Sequence, residues 1–212
     1  MQKSMDFRFL KKILTDTEIE QLHRCDDPDA ALWSLWACKE AAYKVLKKQT
    51  SDAAFVPRRW SVHFGSLSPA VERPDTTLYE ARHEDQKPTE FTTGDVLISE
   101  NKSIPFLLFS SGAYVHCLAA DRLDVLDKAN WRIDALPEGD QQGNDPSAFA
   151  RSCLTRALSA FFGYDPCQIK IFRAQENDGE LQPPVVYRDG IKADIDVSLS
   201  HDGQFVAYAF LP

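Results

Sequence analysis

The sequence predicts an α+β protein of two pseudo-symmetric lobes, each a long helix packed on an antiparallel sheet. Three observations predict it. Apolar residues recur at Leu32, Leu35, Trp36, Ala42, Val45 and Leu46, the spacing of a helix with one buried face. A second helical stretch, 147–162, follows the clearest linker in the chain, DALPEGDQQGNDP from Asp134 to Pro146. Each helix is followed by β-patterned segments that end in a hairpin with a serine-glycine turn, SSGAYVHCLA at 110–119 and SHDGQFVAYA at 200–209. Aligning Gly112 with Gly203 sets Tyr114 on Phe205 and Val115 on Val206, which reads as a duplicated αβ unit. The lobes are read as 1–133 and 134–212, with a cleft between them as the place for a ligand.

The elements follow in order. Residues 6–24 read as helix with Phe9, Leu10, Ile13 and Leu14 on one face. Thr15 to Glu18 has the T-x-x-E form of a capping box, which breaks and restarts that helix. Asp26-Asp27-Pro28-Asp29 is a turn whose acids favour the N-terminal end of the central helix. FVPRRWSVHF (55–64) reads as a strand. Residues 65–103 are polar, with strand-like pieces at Leu78–Arg82 and Asp95–Ser99. IPFLLFS (104–110) and AYVHCLAA (113–120) read as a hairpin turning near Ser111-Gly112. Gly163 caps the second helix, which carries Arg151 and Arg156. Strands at 168–173, 184–187, 194–199 and 204–210 complete the chain. Trp33, Trp36, Trp60 and Trp131 read as anchors of the core and the lobe interface.

Composition narrows the function. A chain of 212 residues, 43% hydrophobic and 26% charged, is long enough for a substantial core and has the balance of a soluble globular protein. A formal net charge of −8 argues against nucleic-acid binding through a general basic surface. An anionic ligand or acidic partner therefore needs a local basic patch, and residues 39–48 supply the best one. The five cysteines are scattered and without zinc-site spacing, as expected for reduced thiols in a cytoplasmic protein. The N-terminal MQKSMDFRFLKK is not a signal peptide, and no apolar run approaches the ~20 residues that span a bilayer. Phosphate loops of the G-x-x-x-x-G-K-S/T kind, G-x-G-x-x-G and H-E-x-x-H are all absent. His23, His63, His83 and His116 have no evident chemical partner, and His116 reads as a packed or edge residue of a strand.

The stretch WSLWACKEAAYKVLKK, Trp33 to Lys48, carries the most chemistry. Glu40 and Lys44 are four apart and project from one side of the helix; Lys39 sits beside Glu40, and Lys47 and Lys48 extend the positive charge. Glu–Lys pairs at this spacing are also ordinary on solvated faces, where each adds about 0.2–0.5 kcal/mol. A second stretch, Val197-Ser198-Leu199-Ser200-His201-Asp202-Gly203, is a strand that ends in a hydroxyl, an imidazole and a carboxylate at a turn. Three consecutive residues do not hold the geometry of a Ser-His-Asp triad; on their own Ser200, Asp202 and Gly203 read as turn residues and His201 as an exposed loop histidine.

Together, W-x-x-K-E-A-x-x-K at 36–44 and S-L-S-H-D-G at 198–203 resemble the signature pair of the 4′-phosphopantetheinyl transferase superfamily. FLKKILTDTEIEQL (9–22) is similar to the segment before the metal-binding helix in that family, and 169–184 to the loop before its serine-histidine turn. The resemblance implies transfer of 4′-phosphopantetheine from coenzyme A to a serine of an acyl or peptidyl carrier protein, dependent on Mg2+. It implies that Glu40 is a metal ligand and, with Lys44, part of the catalytic machinery. It implies that Lys39 and Lys44 contact the coenzyme A phosphates, and that Ser200, His201 and Arg151 hold the nucleotide from the other lobe. No nucleic-acid or membrane partner is implied.

Two departures stand out. Two-lobed members of the family run from the serine-histidine half to the K-E-x-x-x-K half, and here the order is reversed; small single-lobe members have the K-E motif first. The family also has an acidic G-x-D strand before the K-E helix, and nothing like it lies ahead of Phe7, where Asp6 is the one acid. That implies either that Met1 lies inside a longer gene product or that an N-terminal strand has been lost. The alternative to an enzyme is a non-catalytic module of the same fold that binds coenzyme A or a carrier protein. A third reading is an interaction domain whose lysine-rich helix docks an acidic partner.

Overall fold

Local signals set the first helices. In a computed structural model that describes residues 3–69, 90–137, 145–175 and 181–212, the expected break at Thr15 is present. Helix α1 spans Phe7–Ile13 and α2 spans Asp16–Leu22. Thr15 accepts from the Glu18 backbone N–H and Glu18 reaches back to the Thr15 N–H, a complete capping box. Helix α3, Pro28–Gln49, is N-capped by Asp27 with Pro28 in its first turn, where a missing N–H costs nothing. Its buried stripe is Leu32, Leu35, Cys38, Lys39, Ala42 and Leu46.

The chain divides into two compact units, Met1–Asp127 and Lys128–Pro212. Both mix helices with antiparallel strands, so the fold is α+β. In the first unit, β1 (Ser61–Pro69), β2 (Glu90–Ser99), β3 (Lys102–Ser110) and β4 (Val115–Ala119) form an antiparallel meander in sequence order. Helix α3 packs on that sheet, chiefly on β4 and β3. The core joins Leu10, Leu14, Ile19 and Leu22 to the α3 stripe and to Val62, Val96, Ile104, Phe106 and Leu108. The strand expected at 55–64 begins only at Ser61. Pro57 opens a short 3-10 turn, Pro57–Arg59, because proline at its start offers no N–H for a ladder. The 104–110 and 113–120 hairpin is β3–β4, closed by a four-residue loop in which Ser111 Oγ accepts from the Ala113 and Tyr114 N–H groups. A short helix α4, Leu123–Leu126, follows. The strand-like piece at Leu78–Arg82 lies outside the described residues.

In the second unit, β5 (Asn130–Ala135), β10 (Phe205–Leu211) and β9 (Asp196–Asp202) form one sheet in that order, and β6 (Ile169–Phe172), β7 (Val185–Arg188) and β8 (Ile191–Lys192) form another. Helix α5, Pro146–Phe162, is capped by Asp145 and ends at Gly163, whose φ of 69° is the left-handed conformation a helix stop favours. Cys153, Leu154, Ala157 and Leu158 of α5 pack with Ile169, Val186, Val197, Tyr208 and Phe210. Asp134 and Ala135, read as the start of the linker, are strand residues. The alternation that marks β5 is brief, and its order comes from pairing with β10; the middle of that linker lies outside the described residues. The hairpin turns also differ between units. The β9–β10 loop is two residues, Gly203-Gln204, with Gly203 at a φ of 53°, against four residues around Gly112.

Glycine is structurally required at position 94. On β2, a Cβ there would lie under 3.0 Å from the His63 carbonyl and from the Phe106 ring. The Phe106 ring meets Phe64 edge-on across this gap at 5.9 Å. Gly94→Ala is expected to lower stability by about 1–3 kcal/mol, the scale of overpacking a filled site; a denaturant midpoint equal to that of the parent would refute the tight packing.

Candidate functional site

The site elements of the first unit start from a buried ion pair. The Lys39 ammonium donates to Glu18 Oε2 at 2.5 Å, to the Ile13 carbonyl at 2.9 Å and to the Pro57 carbonyl at 3.0 Å. Glu18 in turn accepts from the Thr15 N–H through Oε2 at 2.8 Å and from the Val62 N–H through Oε1 at 3.0 Å. Lys39 is 0% exposed and Glu18 2%. Burial pulls the Lys39 pKa down, while the charge and hydrogen bond of Glu18 hold it up. Lys39 therefore does not present a point charge to coenzyme A phosphates. Its three donors are used inside the protein, and they tie α1, α2 and the Pro57 turn to α3, while Glu18 carries the link on to β1.

With Lys39 turned inward, Glu40 and Lys44 stand on the flank of α3, both partly buried. Lys47 is buried and Lys48 exposed, so the positive run toward the helix end is split between core and solvent. The Lys44 charge reaches His116 on β4, whose Nε2 is shut off from solvent. Burial first, and Lys44 second, push the His116 pKa down to about 3. Trp36 sits in an aromatic run beside this helix: Phe9 at 6.3 Å, then Phe55 at 5.5 Å, with Tyr43 and Trp60 on Phe55 at 4.9 and 5.5 Å. Trp60 is core, as expected, while Trp33 keeps 39% of its surface exposed.

Asp6, the acid upstream of α1, is occupied as the N-cap of that helix, accepting from the Phe9 N–H at 3.1 Å. Among the described residues no strand precedes α3, and no three His, Cys, Asp or Glu side chains gather as a metal cluster. Glu40 is a hard oxygen donor of the kind Mg2+ takes, and that ion usually draws its other ligands from substrate phosphates and water. One carboxylate of this type fits such an ion without making a complete cage.

In the second unit, Ser200 pairs with Ala207 and His201 with Val206 on the β9–β10 ladder, beside the Gly203-Gln204 turn. Ser200 is partly buried and His201 exposed. Arg151 on α5 donates to Ser147 Oγ at 2.8 Å and lies 3.5 Å from Asp145. Arg173, which carries no mark in the sequence, lies within reach of the Arg151 charge; burial and then Arg151 lower its pKa. A lone arginine after a short strand has no periodic signal, so only the fold brings it near α5. Glu40 and Lys44 belong to the first unit, and Arg151, Ser200 and His201 to the second.

The first unit is similar to known proteins. Residues 1–102 match the model of the 4′-phosphopantetheinyl transferase superfamily, which bears out the resemblance over the segment that holds α1, α2 and α3. In particular, the chain is similar to the holo-[acyl-carrier-protein] synthases of two strains of Leptospira biflexa serovar Patoc. Each is 43% identical over 54 residues, 26% of this chain and 42% of the relative, so the match spans less than half of their length. No solved structure matches. Among the described residues no helix is long and apolar enough to cross a membrane.

Two outcomes check this geometry. Lys39→Met strands a buried carboxylate and is expected to cost about 3–5 kcal/mol in urea unfolding. Glu18→Gln combined with Lys39→Met removes both charges and is expected to cost clearly less; the reverse ranking would refute the ion pair. For His116, the unfolded imidazole protonates near pH 6.5 and the folded one only near 3. Folding is therefore opposed as pH falls below about 6.5, by up to about 1.4 kcal/mol per pH unit from this group. His116→Gln should flatten that slope in unfolding curves taken between pH 7 and 4.

Proposed function

We propose that the chain transfers the 4′-phosphopantetheine group of coenzyme A to a serine of an acyl or peptidyl carrier protein, in the cytoplasm. The observation that carries this reading is the K-E-A-x-x-K helix inside the family-matched segment. Its lysine at 39 is locked into the core, so that Glu40 and Lys44 are held in a defined rotation about the helix axis. The relatives named holo-[acyl-carrier-protein] synthase support the same reaction class.

In this reading Glu40 and Lys44 are the catalytic residues. Glu40 would hold Mg2+, whose charge would screen the diphosphate, and Lys44 would place a positive charge on the phosphate oxygens. Arg151, Ser200 and His201 bind the nucleotide phosphates. Lys39, expected at the phosphates from sequence, instead fixes the helix that carries its neighbour. The nucleophile is the carrier serine, so the chain needs no activated hydroxyl of its own. Its remaining work is positioning and charge compensation, the main contributions to phosphoryl-group chemistry.

A second reading rests on the first unit. Asp6 is engaged as a helix cap, and the described residues include no strand before α3 of the G-x-D kind that the resemblance implies. A module that binds coenzyme A or a carrier protein without transfer fits that arrangement too.

One assay separates the two. With coenzyme A, apo-carrier protein and Mg2+, the parent chain is expected to label the carrier, and Glu40→Gln to lose about two orders of magnitude or more in rate at unchanged thermal stability. Coenzyme A should also raise the melting temperature, since it binds only the folded state. Stabilisation by coenzyme A without labelling favours the non-catalytic coenzyme A-binding module, and neither effect sinks both the transferase and that module.

A further inference from the structure

Helix α3 is pinned by polar contacts at three points along its length. Near its start, Asp29 Oδ1 accepts from the Ser4 N–H at 3.0 Å, and at its last residue Gln49 Oε1 accepts from Lys102 at 2.9 Å. In its middle, Lys39 Nζ reaches acceptors on three separate segments, the Ile13 carbonyl, the Glu18 carboxylate and the Pro57 carbonyl. Glu18 is in turn held from two sides, by the Thr15 N–H at 2.8 Å and the Val62 N–H at 3.0 Å. The middle pin lies one residue before Glu40 and five before Lys44.

The rest of the buried stripe constrains rotation less finely. Leu32, Leu35, Cys38, Ala42 and Leu46 pack through apolar contact, which is non-directional, whereas hydrogen bonds weaken steeply away from their line. A rotation that the stripe tolerates therefore breaks the Lys39 contacts. A side-chain end about 6 Å from the helix axis moves about 1 Å for every 10° of rotation, and a misplacement of about 1 Å costs a reaction about a hundredfold in rate.

We propose that Glu18 is a positioning residue: through the Lys39 ammonium it fixes the rotation of α3 and so the direction in which Glu40 and Lys44 point. Its carboxylate, on a residue 2% exposed, is closed off from any substrate, so it acts through Lys39 alone. The effect on rate rests on the transferase reading. On that reading the pair's part in stability and its part in transfer separate. Removing both charges together recovers folding that Lys39→Met alone loses, but it does not recover the rate, because nothing directional then holds the helix.

The test compares the full chain with Glu18→Gln combined with Lys39→Met, both carrying Cys25→Ser so that the peptide around Cys38 holds one thiol. Transfer is measured per folded molecule, well below the melting temperature, with coenzyme A, apo-carrier protein and Mg2+. The double variant is expected to lose about tenfold to a hundredfold in kcat, at an unchanged KM for the carrier and with more Mg2+ needed for half-maximal rate. Labelling of Cys38 by N-ethylmaleimide, read by peptide mass, is expected to be at least several times faster than in the parent, where that thiol is 0% exposed. Should the double variant not fold, Glu18→Gln alone, which keeps the side-chain shape and an acceptor for the cap, is read in the same two ways. A rate per folded molecule equal to that of the parent overturns the positioning role, and so does Cys38 protection equal to that of the parent. A parent that labels no carrier, with Cys38 opened in the variant, sinks the transferase reading alone and leaves the hold of Glu18 on α3 standing.

Discussion

The Lys39–Glu18 pair is the contact on which the first unit depends. Two opposite charges removed from water are costly, and only dense hydrogen bonding makes such a pair tolerable. Here the ammonium satisfies all three donors and the carboxylate takes three, from side chain and backbone. The arrangement therefore specifies more than it stabilises. It sets where α1 ends, where α2 starts, how 57–62 enters the sheet, and which way α3 is rotated. A helix rotated by one residue would carry Glu40 into the buried place that Lys39 holds and break the pair. Conformational specificity of this kind is what the role proposed for Glu40, the next residue, requires.

That economy explains why adjacent residues of one motif have opposite fates. Lys39 and Glu40 are about 100° apart around a helix, so a single rotation buries one and leaves the other on the flank. The T-x-x-E box plays a double part as well. Glu18 caps its own helix and supplies the counter-charge for a helix that starts ten residues later, so a local folding signal is also a tertiary contact.

Much of this was legible in the residues. The capping box at Thr15, the acidic turn before α3, the α3 stripe, Gly163 as a helix stop and the final hairpin all rest on short-range chemistry and appear where the sequence puts them. The inward turn of Lys39 was legible in part: the apolar series Leu32, Leu35, Ala42, Leu46 has a gap at the very turn that Cys38 and Lys39 fill, but lysine at that gap reads as surface until its partner is known. What could not be read depends on contacts distant in sequence. β5 exists through β10, and the nearness of Arg173 to Arg151 through the fold of the second unit. The start of β1 at Ser61 was missed for a local reason, Pro57, that the β-branched and aromatic residues around it masked.

The strand order of the second unit has a consequence for its assembly. β5 opens the unit and β10 is its final strand in sequence, yet β10 lies in the middle of their sheet, between β5 and β9. β5 thus has no neighbour until some seventy residues later are in place, whereas each strand of the first unit pairs with the next one made. During synthesis the first half is free to condense progressively, while the second must wait, its opening strand an unpaired edge, and close in one late, long-range step.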